Sequence, residues 1–457
     1  MAAGRAHGSA RPCGHGRFFA MDYNQAIAFI EGASGKGDKR GLYNMERLLA
    51  RLGDPHRRLR AFHVAGTNGK GSICAFLESA LRAAGYRTGL YTSPHLERFN
   101  DRMRLCGRPI ADERLAEVTG RVAVEVEALR AEGVRPTFFE ICTAVAFEFF
   151  AEEEVDYAVI EVGLGGERDS TNVITPMVSV IASIGYDHMK TLGSTLEEIA
   201  AAKAGIVKPG VPVVLSPQPE QVREVIARRC REQGSDLFDL TKSAMQMIFE
   251  DERGGEFSFR LGDIDWPRIA IGLPGAHQAH NAACALTALE LARRGAGLRL
   301  NDDAIARGLK EARWPGRLEW IEGSPRVLLD GAHNGPGART LREYARRHLM
   351  GRRVVLLTAM LGDKPVEDVV RQLAGITSTA VVTLIDSPRA LEPKRLAVLL
   401  EANSVACRIE PDRERALAAA RALAGPEGVV LISGSLYLVG EMRDMLAVGD
   451  GGALRAD

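Results

Sequence analysis

Paired cysteines are missing from this 457-residue chain. Its seven cysteines stand at 13, 74, 106, 142, 230, 284 and 407, an odd number with no Cys-x-x-Cys pair. That excludes a zinc ribbon or a disulfide framework and fits free thiols in a reducing cytoplasm. Net charge is missing too, since 59 Lys and Arg balance 59 Asp and Glu. A zero balance gives no support for a nucleic-acid or membrane-surface partner, so an anionic substrate must be held by local groups. No apolar run approaches the ~18–20 residues of a membrane helix. There is no repeat of fixed period and no low-complexity core segment. The first twenty residues, rich in Gly, Ala and Arg, lack the apolar stretch of a secretory signal. They read either as a disordered tail or as an over-extended start, with Met21 as the initiator. The remainder is ordinary for a globular protein of about two to three domains.

What is present centres on Ala65-Gly66-Thr67-Asn68-Gly69-Lys70-Gly71-Ser72. An apolar run, residues 59–64, precedes it and reads as a buried strand. Ile73, Phe76, Leu77, Ala80, Leu81 and Ala84 follow at helical spacing. A strand, a Gly-rich turn with Lys and Ser, then a helix is the arrangement that cradles phosphates. Small residues let backbone N–H groups close in, the helix start adds partial positive charge, and the lysine adds a full one. The spacing departs from the common P-loop because Gly71 separates Lys70 from Ser72. An ordinary strand-to-helix turn has no need for Thr, Asn, Lys and Ser together.

Three further strands are expected to end in polar residues. Residues 87–91 lead into Thr92-Ser93-Pro94-His95-Leu96, which is either a surface turn or a ligand loop at a strand end. Residues 157–162 carry Glu161 near their carboxyl end, a natural Mg²⁺ ligand beside a phosphate loop, or else a surface carboxylate. Residues 178–184 run into Gly185-Tyr186-Asp187-His188. Between these, residues 137–150 read as a helix, and Thr137 with Glu140 fits a capping box. A later helix carries Lys203 among small residues, where it either approaches a site closely or snorkels to solvent. From about residue 238 to 273 the pattern changes to an antiparallel insertion. Trp314-Pro315-Gly316-Arg317 marks a linker near 312–318. After it, strands at 327–329, 354–358, 380–385 and 429–432 alternate with helices in a smaller doubly wound unit. The domains expected are therefore 21–312 and 313–457.

Taken together, these pieces suit a Mg–ATP site between two α/β units. They lack the Asp-x-x-Gly and Asn-Lys-x-Asp patterns of a GTPase switch. The chain resembles the folylpolyglutamate synthase/dihydrofolate synthase family of ATP-dependent Mur-type ligases from about Tyr23 to Met445. The resemblance rests on the 66–72 loop, Thr92-Ser93-Pro94-His95-Leu96 with Gly107-Arg108-Pro109-Ile110, and Glu161-Val162-Gly163-Leu164-Gly165-Gly166. It continues through Asp187-His188, Leu192-Gly193, Lys203-Ala204-Gly205-Ile206, His277-Gln278 with Asn281, Trp314-Pro315-Gly316-Arg317, and Leu329-Asp330-Gly331-Ala332-His333-Asn334. Two departures stand out. Glu167 takes a place where the family commonly has Arg, with Arg168 one later, and Ala202 precedes Lys203 where Glu is common.

The resemblance implies a P-loop-containing Mur-ligase-type central domain and a smaller Rossmann-like C-terminal domain. It implies ATP held by Gly66, Thr67, Asn68, Gly69, Lys70, Gly71 and Ser72, and from across a cleft by Asn281, Arg317 and Asp330. One or two Mg²⁺ would be bound by Ser93, Glu161 and His188, with Lys203 contributing if carbamylated. Lys70, Lys203 and His333 are the expected catalytic groups. Thr137, Phe138, Phe139, Glu140 and Arg168 align with the pterin or folate region. The activity implied is addition of L-glutamate to dihydropteroate and to tetrahydrofolate or its polyglutamates through an acyl phosphate. It would be carried out by a cytoplasmic monomer on small-molecule substrates. A monofunctional folylpolyglutamate synthase, a cell-wall Mur ligase and a non-catalytic nucleotide switch are the alternatives. No extra N-terminal domain for a nucleotide sugar is read ahead of the loop.

Overall fold

The short apolar runs become strands because helices cover both of their faces. The computed structural model describes residues 19–33 and 41–449. The expected tail, residues 1–20, lies outside them except for its last two positions. The first strands are β1 (Ala61–Ala65), β2 (Thr88–Tyr91), β3 (Met103–Leu105), β4 (Arg108–Pro109), β5 (Tyr157–Glu161), β6 (Val178–Ile181), β7 (Val213–Leu215) and β8 (Leu237–Asp239). They form one sheet in the order β4-β3-β2-β5-β1-β6-β7-β8. The run from β2 to β8 is parallel, while β3 and β4 are added antiparallel at one edge. Every residue of β1, β2, β5 and β6 is buried, as a parallel sheet with two covered faces requires.

Alternate side chains of each strand feed different cores. Phe62, Val64, Val159 and Val178 pack against helices Lys70–Ala83, Ala276–Gly295 and Asp302–Glu311. Ala61, Ala158, Ile160 and Tyr91 pack against helices Asp112–Ala131 and Phe138–Glu152. Register places Val64 beside Glu161, Ala65 beside Ile181, and Tyr91 beside Ile160. The carboxyl ends of β1, β2, β5 and β6 therefore open onto one edge, with β1 central. In an open α/β sheet this is where a ligand crevice forms.

An antiparallel sheet follows, made of β9 (Ala244–Asp251), β10 (Gly254–Leu261) and β11 (Ile264–Ile271). It starts later than the sequence pattern suggests. Residues 237–239 pair in parallel with β7 and close the first sheet instead. The second α/β unit contains β12 (Glu319–Ile321), β13 (Arg326–Asp330), β14 (Val354–Thr358), β15 (Thr379–Val382), β16 (Ala406–Ile409) and β17 (Val429–Ser433), ordered β12-β13-β17-β14-β15-β16. Asp330, Ser433 and Thr358 are level with one another at its carboxyl edge. Among the described residues no helix is long and apolar enough to cross a membrane.

Candidate active site

The first half of the Gly-rich loop is stitched to the segment after β6. Thr67 N–H and Asn68 N–H both donate to the Ser183 carbonyl, at 2.8 and 3.1 Å. The Thr67 hydroxyl donates to the Gly185 carbonyl at 3.1 Å. Thr67 thus spends its N–H and its hydroxyl on the scaffold. The amides left for an anion are those of the first turn of helix Lys70–Ala83, which have no intrahelical partner. Gly69 caps that helix with φ +90°, a conformation open to glycine and awkward for other residues. A Cβ there would also strike the Asn281 amide.

The inserted glycine has a steric cause. A Cβ on Gly71 would stand 2.7 Å from Nε1 of Trp314, so the linker indole lies directly on the first turn of the helix. Gly71→Ala is expected to destabilise the fold by about 1–3 kcal/mol, as overpacking does. The midpoint of denaturant unfolding measures this, and an unchanged midpoint would mean the indole moves aside freely.

Lys70 Nζ reaches the carbonyls of Gly66 and Thr67, each at 3.3 Å, and lies 3.8 Å from Glu161 Oε1. Glu161, at the end of β5, accepts from Ser93 N–H at 3.3 Å. Burial pushes its carboxyl up, against the pull of Lys70. It is a buried carboxylate short of positive charge. His188 adopts left-handed backbone, φ +51°. Such strain in a non-glycine residue gathers at functional sites. Burial, helped by the charges of Lys364, Lys70 and Lys203 and opposed by Asp187, lowers its imidazole to about 4. It is neutral at pH 7, and its Nε2 stands 3.4 Å from the Lys364 ammonium, which would have to give way to a metal ion there. Among the described residues no three His, Cys, Asp or Glu side chains converge to hold a metal unaided. Glu161, His188 and the Ser93 hydroxyl make an incomplete hard-ligand set. That suits Mg²⁺, which takes its remaining ligands from water and phosphate.

Lys203 is set by close backbone packing. Cβ atoms on Gly166 would press 2.8 Å from the carbonyls of Ala202 and Lys203. Glu167 N–H donates to Ala202 O at 3.0 Å, and the Asn172 amide ties Glu167 O to Gly205 O at 3.0 and 3.1 Å. The Lys203 ammonium donates to Gly66 O at 2.6 Å. It is buried rather than snorkelling. Burial first, and Lys70 second, bring its amine down to about 7.

The second unit reaches across to these groups. Asn68 and Asn334 exchange amide hydrogen bonds at 3.1 and 3.0 Å. Asp187 accepts from Asn334 Nδ2 at 3.2 Å and from Lys364 Nζ at 2.7 Å, and lies 3.7 Å from His333 Nε2. Burial alone would raise this carboxyl, but His333 and Lys364 hold it well below the usual carboxylate range. Asp330 accepts from Leu318 N–H and Ala332 N–H, both at 3.0 Å. Arg317 is desolvated between Asp330 and Glu161. Asn68, Asp187, Arg317, Asp330 and His333 line one cleft, and Asn334 and Lys364 bond to its wall through Asn68 and Asp187.

Two family patterns match the chain: the Mur ligase middle domain over residues 64–289 and the Mur ligase glutamate ligase domain over 316–436. The dihydrofolate synthase/folylpolyglutamate synthase of Bacillus subtilis is 39% identical over 93% of this chain and 99% of its own. The chain belongs to the dihydrofolate synthase/folylpolyglutamate synthase family of Mur ligases. The Escherichia coli relative of the same name is 32% identical over 92% and 94% of the two chains. Among solved structures, Mycobacterium tuberculosis folylpolyglutamate synthase complexed with ADP superposes with TM-score 0.87 at 30% identity, covering 93% of this chain and 98% of that one. E. coli FolC in complex with DHPP and ADP gives 0.84 at 29%, covering 94% and 99%.

This Mur ligase brings Gly66 to Ser72, Ser93, Glu161, His188, Lys203, Asn281, Arg317, Asp330 and His333 to the same cleft. The expected pterin residues lie off it. Thr137 and Glu140 cap their helix reciprocally, at 2.7 and 3.3 Å. Phe138 and Phe139 pack on Phe99 and Tyr91. Arg168 is exposed. Sequence reasoning missed Lys364 and gave Asn334 no role. Lys364 follows the carboxyl end of β14, the same kind of strand-end position that pointed to Glu161.

Proposed function

We propose that this ligase forms an amide between L-glutamate and two kinds of acceptor, dihydropteroate and tetrahydrofolate with its shorter polyglutamates, using ATP. One observation carries the reading: Lys70, Glu161 and Lys203 of the first unit face Arg317 and Asp330 of the second across a single cleft. Support for both acceptors comes from relatives named for both activities. The Thr137–Glu140 contacts are accounted for by capping alone.

The free first-turn amides and Lys70 would hold the triphosphate, with Asn281, Arg317 and Asp330 on the far side of the nucleotide. Mg²⁺ bound by Ser93, Glu161 and His188 would offset charge on the phosphate oxygens. The acceptor carboxylate oxygen bonds to the γ-phosphorus as the bridge to ADP breaks. The glutamate nitrogen then bonds to the acyl carbon, and phosphate leaves with the C–O electrons. The amine must shed a proton. Gly331 O, 2.8 Å from His333 Nδ1, accepts from that nitrogen, and Nε2, 3.7 Å from the Asp187 carboxylate, is the nitrogen that would take the proton. Lys70 and Arg317 neutralise charge that builds in the transition state. A carbamate on Lys203 would turn a buried cation into a further carboxylate beside the phosphates. The enzyme is expected to act as a cytoplasmic monomer.

Glutamate-dependent ADP release tests the reading. Turnover is expected with dihydropteroate and with tetrahydrofolate. Turnover with tetrahydrofolate alone would make the enzyme a monofunctional folylpolyglutamate synthase, and none with any pteroate or folate would overturn the assignment.

A further inference from the structure

A second, smaller cavity lies between the loop after β2 and the linker. It meets the main cleft at Ser93, Glu161 and Arg317, which line both. Arg104 stands in its wall, with its guanidinium 5.4 Å from the ring centre of Trp314. Its side chain is only 19% exposed, and Asp101 is 3.9 Å away. The single hydrogen bond it makes, from Nε to the Asp101 carbonyl, is long at 3.4 Å. Among the described residues its Nη groups meet no acceptor within hydrogen-bond distance. Guanidinium has five N–H donors in a fork that fits a carboxylate, so most of this one's capacity is unspent. The nearby Arg443, by contrast, is engaged by both Glu97 and Glu319. Burial lowers the Arg104 pKa, with Asp101 and Glu78 opposing.

Accepting the ligase reading, on which this step rests, the reacting carboxyl of the acceptor must sit by Ser93, Glu161 and Arg317. An acceptor that ends in glutamate and reacts at its γ-carboxyl carries a second, α-carboxylate three carbons away. Dihydropteroate ends in a benzoate and has none. We propose that the side cavity receives the α-carboxylate of the acceptor's terminal glutamate and that Arg104 binds it. Arg104 is then the residue that separates the two acceptors.

Steady-state ADP release by the full-length chain tests this with Arg104→Gln and Arg104→Lys. Arg104→Gln is expected to raise KM for tetrahydrofolate about tenfold or more, the loss typical of a hydrogen bond to a charged group. KM for dihydropteroate and for glutamate is expected to stay within about twofold, and Arg104→Lys to recover part of the loss. Tetrahydrofolate with its α-carboxylate converted to the amide, used on the unaltered enzyme, needs no variant to fold. It is expected to lose as much, and to lose nothing further on Arg104→Gln. Equal losses on both acceptors would make Arg104 a clamp for Trp314 and overturn the proposal. Raised KM for glutamate with either acceptor would assign the carboxylate to the incoming amino acid and also overturn it. An unaltered enzyme inactive on both acceptors would defeat the ligase reading itself. An active enzyme with an unaffected Arg104→Gln variant would defeat this inference alone.

Discussion

Glu161→Gln is expected to cut ligase turnover by about a hundred- to a thousandfold while leaving the fold at least as stable at neutral pH. The loss follows from removing the one buried carboxylate at the junction of Lys70, Ser93 and Arg317, where phosphate charge must be managed. The stability result follows from linkage. The folded carboxyl titrates above its unfolded value because burial dominates. Its stabilising contribution is therefore complete below the unfolded pKa and is lost as pH rises through the folded one. At pH 7 to 8 the ionised group weighs against the fold, and the neutral amide removes that weight. Thermal unfolding should show the variant's advantage at pH 8 and lose it near pH 4. A variant that keeps native turnover, or one less stable at pH 8 than the parent, would refute this account.

Lys203→Met should be nearly as damaging to turnover, by about a hundredfold or more, again with the fold intact. Methionine keeps the length and apolar stem while removing the buried cation and its hydrogen bond to Gly66 O. The amine, with a pKa of about 7, is substantially neutral at physiological pH, which is the form that attacks carbon dioxide. The sign is the reverse of the Glu161 case. A lysine lowered in the folded state penalises the fold below pH 7, and the penalty is relieved as pH rises toward the unfolded value. Methionine should therefore help stability most at pH 6. In carbon-dioxide-depleted buffer the parent enzyme is expected to lose activity as pH falls through about 7 and to regain it with bicarbonate, whereas Lys203→Met responds to neither. Undiminished turnover in Lys203→Met would remove Lys203 from the chemistry.

The strand ends were readable because buried parallel strands announce themselves. Phe62-His63-Val64 and Val159-Ile160 are short, mostly apolar and followed within two residues by glycine or a polar group. Edge strands give no such signal. Ala406-Cys407-Arg408-Ile409 is mostly exposed, and Arg108-Pro109 is wholly so, and neither stands out from a turn. Helix Asp112–Ala131 escaped notice because charged residues are spread along it, and only one side is buried. In the site, Gly66 to Ser72, Glu161 and Asp330 are found by sequence because they stand in or beside glycine-rich turns, whereas Lys203 and Asn281, inside helices, owe their roles to the family resemblance. Those missed depend on contacts that no local pattern encodes. Lys364 meets Asp187 across 177 positions of chain. Arg168, placed by resemblance to a motif, is exposed, on a loop that turns Asp169 inward onto Leu164 N–H and Thr171.

The amide exchange between Asn68 and Asn334 bears on how this sequence can drift. Each side chain gives the other one donor and takes one acceptor. An Asp at either position would set two oxygens face to face, and an aliphatic residue at 334 would strand both groups of Asn68. Asn334 also caps its own helix through Gly337 N–H and contacts Asp187, which closes off compensation by simple rotation. Positions 68 and 334, though 266 residues apart in the chain, are therefore coupled unequally: a change at 334 costs Asn68 both of its side-chain partners, whereas a change at 68 leaves Asn334 with Gly337 N–H and Asp187.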